Sequence, residues 1–443
     1  MSVFGAQQLA NVLAPESPGK AARKVNGAFY SVTQATENQF GDLVFAAYMI
    51  GDEAQRGLVD LMFDALSLRV LDPSYVSNLT SEVAEQSQDS LRVFTSAENI
   101  NLAWRELRNS YEVFSLVKGV SSLLHIPKEG RDFDLARLVE AAYALGAYPA
   151  LWAVEGLGHD YAMTFWGQGR PVRGILTDVR AEVLPVKSLT MMHAGIGLAF
   201  AEQLMDTITP YDSPDKIRGV LREFITLVRE NSRPGYEGAA YESLGLVTRF
   251  WHSQMVGVVE RYMWEVEPEA VSYFWHGVGR SLYFLPLFFV PGLLSPWLAI
   301  EREASHDLAR LNMTAGLAWA MTIVNVRQPE LLENFLKYRG EQLSRTPAFT
   351  NGVMSTLVMG IDITPGDEFI TRFLQHQPDQ SDRRLVELWD NLVSRPAGEA
   401  VYRFHPLLEA HRRLGEVFHY QDLWELAARL EKELVSRVSS TFA

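Results

Sequence analysis

The chain has no cysteine. That absence excludes disulfides, zinc–thiolate sites, iron–sulfur clusters and thiol nucleophiles. Basic residues are in deficit: 40 Lys and Arg against 54 Asp and Glu give a net charge of −14. A nucleic-acid partner needs a stripe of Lys and Arg to meet its phosphates, and no such run occurs, so none is expected. The N-terminus, Met1-Ser2-Val3-Phe4-Gly5-Ala6, lacks the charged and apolar regions of a secretory signal, and a cytoplasmic location is expected.

Strand signals are scarce, and so are the usual catalytic signatures. There is no Gly-x-Ser-x-Gly elbow of a serine hydrolase. His276-Gly277-Val278-Gly279-Arg280-Ser281 lacks the third glycine and the preceding strand of a dinucleotide loop. No His-x-x-x-His pair or aspartate-rich calcium loop is present, and no Glu-x-x-His pair is repeated on two helices, so neither a metal nor a cofactor is expected.

One run lacks charge altogether. Ser281 to Ile300 is uncharged for 20 residues, long enough to span a bilayer. Pro286, Pro291, Gly292 and Pro296 interrupt it, and they would strand backbone polar groups in lipid. No integral span is expected. The run reads as a buried, irregular apolar loop; a lip on a substrate channel or a peripheral membrane contact through 281–300 is the functional alternative.

What is present favours helices around a large core. Hydrophobic residues make up 47% of the 443 residues, and ten are Trp, enough to fill a core or line an apolar pocket. Leu385, Leu388, Trp389 and Leu392 follow helical spacing, as do Leu423, Leu426, Ala427, Leu430 and Leu434. Ser213-Pro214 opens a helix with Ile217, Leu221, Phe224 and Val228 on one face. Thr364-Pro365-Gly366-Asp367 reads as a helix start with Thr364 as its cap. Gln328-Pro329 opens another helix, which Gly340 closes. Pro396-Ala397-Gly398 reads as a break. The expected division is N-terminal helices over 1–72, a polar connection over 73–101, a repeat core over 102–363 and a C-terminal helical cap over 364–443.

The core carries a recurring small-residue motif: Gly156-Leu157-Gly158, Gly195-Ile196-Gly197, Ser243-Leu244-Gly245, Gly277-Val278-Gly279, Gly316-Leu317-Ala318 and Gly352-Val353-Met354. Successive first positions are 39, 48, 34, 39 and 36 residues apart, the length of a helical hairpin repeat. Glycine inside a helix costs about 1 kcal/mol relative to alanine and persists where another backbone must pass close by. The expected fold is all-α: repeated antiparallel helical hairpins in a curved solenoid or a closed α/α toroid-like array.

Polar residues beside these motifs then turn inward. Buried charges need partners, so they either satisfy one another or face a polar-lined interior. Glu155 or Glu237 would serve as an acid and His193 or His276 as a base. Arg280 would be an orienting cation, with Glu155, Glu237 or Glu242 as its counter-ion. His159, Asp160, Glu242, Trp275, Tyr283, Asn312 and Asn351 would join Arg280 in contacting substrate. Glu155 and His159, four residues apart, share one helix face. The structural alternatives stay open: core histidines for His193 and His276, and an ion pair for Arg280.

Ala153-Val154-Glu155-Gly156, His193-Ala194-Gly195-Ile196-Gly197-Leu198-Ala199, Gly235-Tyr236-Glu237-Gly238, Gly277-Val278-Gly279-Arg280-Ser281-Leu282-Tyr283-Phe284 and Ala315-Gly316-Leu317-Ala318 occur in one order. That ordered set resembles the uncharacterised bacterial family called domain of unknown function 1702, found in enediyne and related natural-product gene clusters. The resemblance runs from about Gly27 to Ile363. The chain departs from the family in its added C-terminal part and in Tyr236-Glu237, where a His-Glu pair is expected. The resemblance implies specialised metabolism and no defined reaction. Two functions follow as expectations. One is a cofactor-independent cyclase or isomerase acting on a lipophilic unsaturated substrate, polyene or isoprenoid-like. The other is a non-catalytic scaffold, or a substrate-shielding protein, within a biosynthetic complex.

Overall fold

The computed structural model describes residues 97–126, 134–178, 181–284 and 296–441. Among these residues all regular structure is helical. The helices are α1 (Ala97–Lys118), α2 (Val120–Leu123), α3 (Leu135–Ala144), α4 (Ala147–Gly167), α5 (Leu189–Met205) and α6 (Pro214–Asn231). Next come α7 (Glu237–Trp251), α8 (Val256–Val266), α9 (Val271–Tyr283), α10 (Pro296–Glu303), α11 (Asp307–Val324) and α12 (Pro329–Leu343). The last are α13 (Ala348–Ile363), α14 (Glu368–Gln375), α15 (Arg383–Trp389), α16 (Arg395–Glu399), α17 (His405–Ala410) and α18 (Leu423–Thr441).

Contacts divide the chain into two compact units, 1–119 with 282–303 and 120–281 with 304–443. The expected C-terminal cap belongs to the second unit, together with most of the expected core. Of the expected polar connection over 73–101, residues 97–101 are the first turn and a half of α1; the rest, like residues 1–72 and most of the uncharged run, lies outside the described residues. No described helix is long and apolar enough to cross a membrane.

In the first unit, α1 buries Val113 and Val117 together with Glu106, Asn109 and Ser110. Phe114 meets Phe284 edge-on at 5.4 Å. Trp297, Ala299 and Ile300 of α10 are buried as well.

In the second unit, the motif-bearing helices α4, α5, α7, α9, α11 and α13 are buried on nearly every face, as core helices are. The small residues let these helices touch backbone to backbone. A Cβ on Gly158 of α4 would lie 2.5 Å from the Met192 carbonyl of α5, and one on Gly197 would lie 2.5 Å from the Ala240 carbonyl of α7. The series continues from Gly245 of α7 to Phe274 of α9, from Gly279 of α9 to Met313 of α11, and from Gly352 of α13 to Ala315 of α11. Two hydroxyls use the same close approach: Ser243 Oγ donates to the Ala194 carbonyl (3.0 Å) and Thr356 Oγ1 to that of Trp319 (3.0 Å). The last motif helix also meets the second, where Thr190 Oγ1 donates to Asp362 Oδ2 (2.8 Å). Amphipathic α6 buries Ile217, Leu221, Phe224 and Val228 as its spacing predicts, and packs on α5 and α8.

Three local expectations fail for identifiable reasons. Thr364 caps the C-terminus of α13; the start of α14 is capped by Asp367, whose Oδ1 accepts from Phe369 N (3.0 Å), after a turn through Gly366 at φ 79°. Gly340 does not end α12 but lies inside it, where a Cβ would fall 2.6 Å from a Leu388 methyl. Pro396 does not break the chain. Residues 383–410 are continuously helical, with π stretches at Asp390–Ser394 and Ala400–Phe404. Pro396 and Pro406 each follow a π stretch by two residues. A widened π turn re-routes the hydrogen bonds that a proline ring would otherwise displace.

Candidate functional site

Two of the buried charges of the second unit, Glu155 and Glu242, converge at Arg280. Gly277 and Gly279 bring α9 against α7 and α11, which places the side chain one turn further on in the interior. Arg280 Nη2 donates to Glu155 Oε1 of α4 (2.8 Å) and Nη1 to Glu242 Oε2 of α7 (2.9 Å). Its guanidinium lies 4.7 Å from the centre of the Trp319 ring on α11, a cation–π contact. Glu242 Oε1 accepts from His276 Nδ1 (3.0 Å), one turn before Arg280 on α9. Glu155, Glu242, His276 and Trp319 are all buried.

The chemistry follows from this geometry. Burial pushes the Glu242 carboxyl up, but the Arg280 charge and the His276 bond outweigh it and hold the group below its usual value. Burial depresses His276 despite the Glu242 bond, so the imidazole is neutral near pH 7. A carboxylate can only accept, so the ring proton sits on Nδ1 and Nε2 presents a lone pair. Nε2 has no hydrogen-bond partner among the described residues, nor do Arg280 Nε and Trp319 Nε1. Trp152 Nε1, one turn before Glu155 on α4, is open too. A buried acid–imidazole pair with a free Nε2 is the arrangement of a general base.

The remaining sequence candidates lie elsewhere. Glu155 does not pair with His159. Instead His159 Nε2 bonds Glu202 (2.8 Å) and Nδ1 bonds Asp160 (3.2 Å), while Asp160 accepts from Ser121. Glu237 is not a counter-ion of Arg280; its Oε2 accepts from the Gly235 amide at the start of α7 (2.7 Å). Trp275 turns to α8, donating to Glu260 (3.0 Å). Asn312 and Asn351 are occupied by the protein's own C-terminal part. Asn312 Oδ1 accepts from Tyr420 N (2.7 Å) and Asn351 Nδ2 donates to the Gln421 carbonyl (2.6 Å).

These asparagines hold the segment Arg413–Gln421 across the inner helices. Gly415 N donates to Gly235 O (2.7 Å), Phe418 lies 5.9 Å from Trp319 and His419 lies 4.4 Å from Tyr273. Phe418 is fully buried beside the indole that supports Arg280. Sequence reasoning missed this segment, because its contacts reach back about 70 to 180 residues and leave no local period.

His193 is a structural histidine. Its Nδ1 donates to Leu189 O (2.7 Å), its Nε2 accepts from Arg233 N (2.9 Å), and its ring stacks on Tyr236 at 5.0 Å. Burial pulls it down to about 4. The unfolded chain takes up a proton near pH 6.5 that the folded state refuses, so stability is present above that value and lost as pH falls. Acidification from pH 6.5 to 4 is expected to cost about 3 kcal/mol through His193. Urea unfolding midpoints of the wild type and His193→Gln at pH 7 and pH 5 check this: the variant should show the shallower decline, and parallel declines would refute the assignment.

In the first unit, Tyr283 faces Glu106 of α1. Its hydroxyl donates to Oε1 (2.9 Å), and burial pushes the carboxyl up to about 8 against that bond. Nothing in the local sequence separates Glu106 from its neighbours Glu98 and Glu112.

Among the described residues no group of three or more His, Asp or Glu side chains is arranged to hold a metal ion. No protein-family model, curated protein or solved structure matches the chain.

Proposed function

We propose that the chain is a natural-product biosynthetic enzyme, a cofactor-independent cyclase or isomerase acting on a lipophilic unsaturated substrate. The observation that carries this reading is the open Nε2 of His276, wholly buried and oriented by Glu242. A neutral imidazole out of water is a competent base for a weakly acidic C–H or O–H, and it returns the proton as an acid in a later step. Two carboxylates against one guanidinium leave the interior electronegative, and indole faces add to that. Both features favour a substrate that develops positive charge during reaction.

In this reading the motif helices form a curved or closed α/α array around the cluster. The Thr190–Asp362 bond between the second and last motif helices supports that arrangement. The ordered motifs that resemble the enediyne-associated family support a place in bacterial specialised metabolism, and a cytoplasmic location belongs to the same reading.

Deletion of the gene from its producing host, with complementation, tests the proposal. The deletion should accumulate an uncyclised or unisomerised precursor, and wild-type protein should restore the product. His276→Gln should lower product formation about 10²- to 10⁴-fold, the usual worth of general acid–base catalysis, while remaining folded by circular dichroism. Full restoration by the variant would overturn the catalytic assignment and leave a scaffold or shielding role.

A further inference from the structure

We propose that the Arg280 cluster anchors a single neutral hydroxyl on an otherwise apolar ligand. This inference rests on the reading of the interior as a substrate site, and it names the substrate class. Three side chains of the cluster, Arg280, His276 and Trp319, each keep one polar atom without a partner among the described residues. Arg280 spends Nη1 and Nη2 on Glu242 and Glu155 and leaves Nε–H without a partner. His276 spends Nδ1–H on Glu242 and leaves the Nε2 lone pair. Trp319 lends its ring to Arg280 and leaves Nε1–H.

The three groups are neighbours. Arg280 and His276 share Glu242, and the His276 ring meets Trp319 edge-on at 6.4 Å. Together they offer two donors and one acceptor, all buried, where an unsatisfied polar group is costly. A hydroxyl has one O–H to give to His276 Nε2 and two lone pairs to take Arg280 Nε–H and Trp319 Nε1–H. A hydrocarbon answers none of them. A carboxylate or phosphate has no proton for Nε2 and would add negative charge beside Glu155 and Glu242. An amine would meet the imidazole but not the two donors. Phe418 lies on one side of Trp319, so the part of the ligand that meets these rings is hydrocarbon.

Three ten-carbon probes of matched shape separate these chemistries: geraniol, myrcene and geranic acid, titrated at pH 8 into the full chain by isothermal calorimetry. Geraniol is expected to bind at least about tenfold more tightly than either other probe. Trp319→Phe keeps the aromatic ring and removes one donor. It should erode the geraniol preference and leave myrcene affinity unchanged, whereas a general loss of packing would weaken both. Equal binding of geraniol and myrcene would overturn the hydroxyl anchor and leave an apolar substrate interior standing. Geranic acid binding as tightly as geraniol would also overturn it. Failure of all three probes up to their solubility limits would overturn the substrate interior and the anchor together.

Discussion

Replacing Arg280 with methionine is expected to destabilise the protein by about 3–5 kcal/mol, because it leaves two buried carboxylates without their cation. Arg280 is 2% exposed, and both Glu155 and Glu242 depend on it. The loss arises from the stranded charges rather than from the missing side-chain volume, which methionine largely restores. Neutralising them should therefore rescue the fold. The triple variant Glu155→Gln, Glu242→Gln, Arg280→Met is expected to recover most of the stability, since glutamine can still accept from His276 Nδ1. Urea denaturation of the single and triple variants decides the matter. A single variant within about 1 kcal/mol of wild type would contradict a dry ion cluster, and so would a triple variant no better than the single.

The second large effect is expected at the crossings of the motif helices. A Cβ on Gly277 would fall 2.7 Å from the Leu246 amide nitrogen and closer still to the Glu242 carbonyl. Backbone cannot swing aside as a side chain can, so Gly277→Val is expected to cost about 3 kcal/mol or to prevent soluble expression. Gly219, on the exposed face of α6, has nothing within 4 Å of the corresponding position. Gly219→Ala should instead stabilise by about 0.5–1 kcal/mol, from helix propensity and a less flexible unfolded chain. Thermal unfolding of the pair measures both signs. Similar midpoints would mean that the motif glycines do not mark contacts.

The helix crossings were legible because they depend on one residue type at repeated intervals. Omission of a side chain is written directly into the sequence, and the backbone of the neighbouring helix fills each omission at Gly158, Gly197, Gly245, Gly279 and Gly352. Arg280, Glu155, Glu242 and His276 were also recoverable, since a charge beside such a crossing must face inward and find a partner. Which acid pairs with which base was not recoverable. Glu155 and His159 share a face by spacing, yet a helix rotation of a few tens of degrees sends one to Arg280 and the other to Glu202. Asn312 and Asn351 carried the same inward signal. Nothing near them in sequence says that Tyr420 and Gln421 come to meet them. Pro396 misled for a different reason. Helix-breaking rules assume α geometry, and the π stretch before it changes the register that proline disrupts.

The segment that ends at Gln421 has a consequence for how the chain acquires its structure. Gly235 waits for Gly415, Asn312 for Tyr420 and Asn351 for Gln421. A polypeptide emerging from the ribosome can assemble the early helix crossings as they appear. The inner helices lack their Phe418, Tyr420 and Gln421 partners until this late stretch has been synthesised. Maturation is thereby tied to the closure of large loops, which is slow for any chain. During that interval the exposed helices are a natural client surface for chaperones.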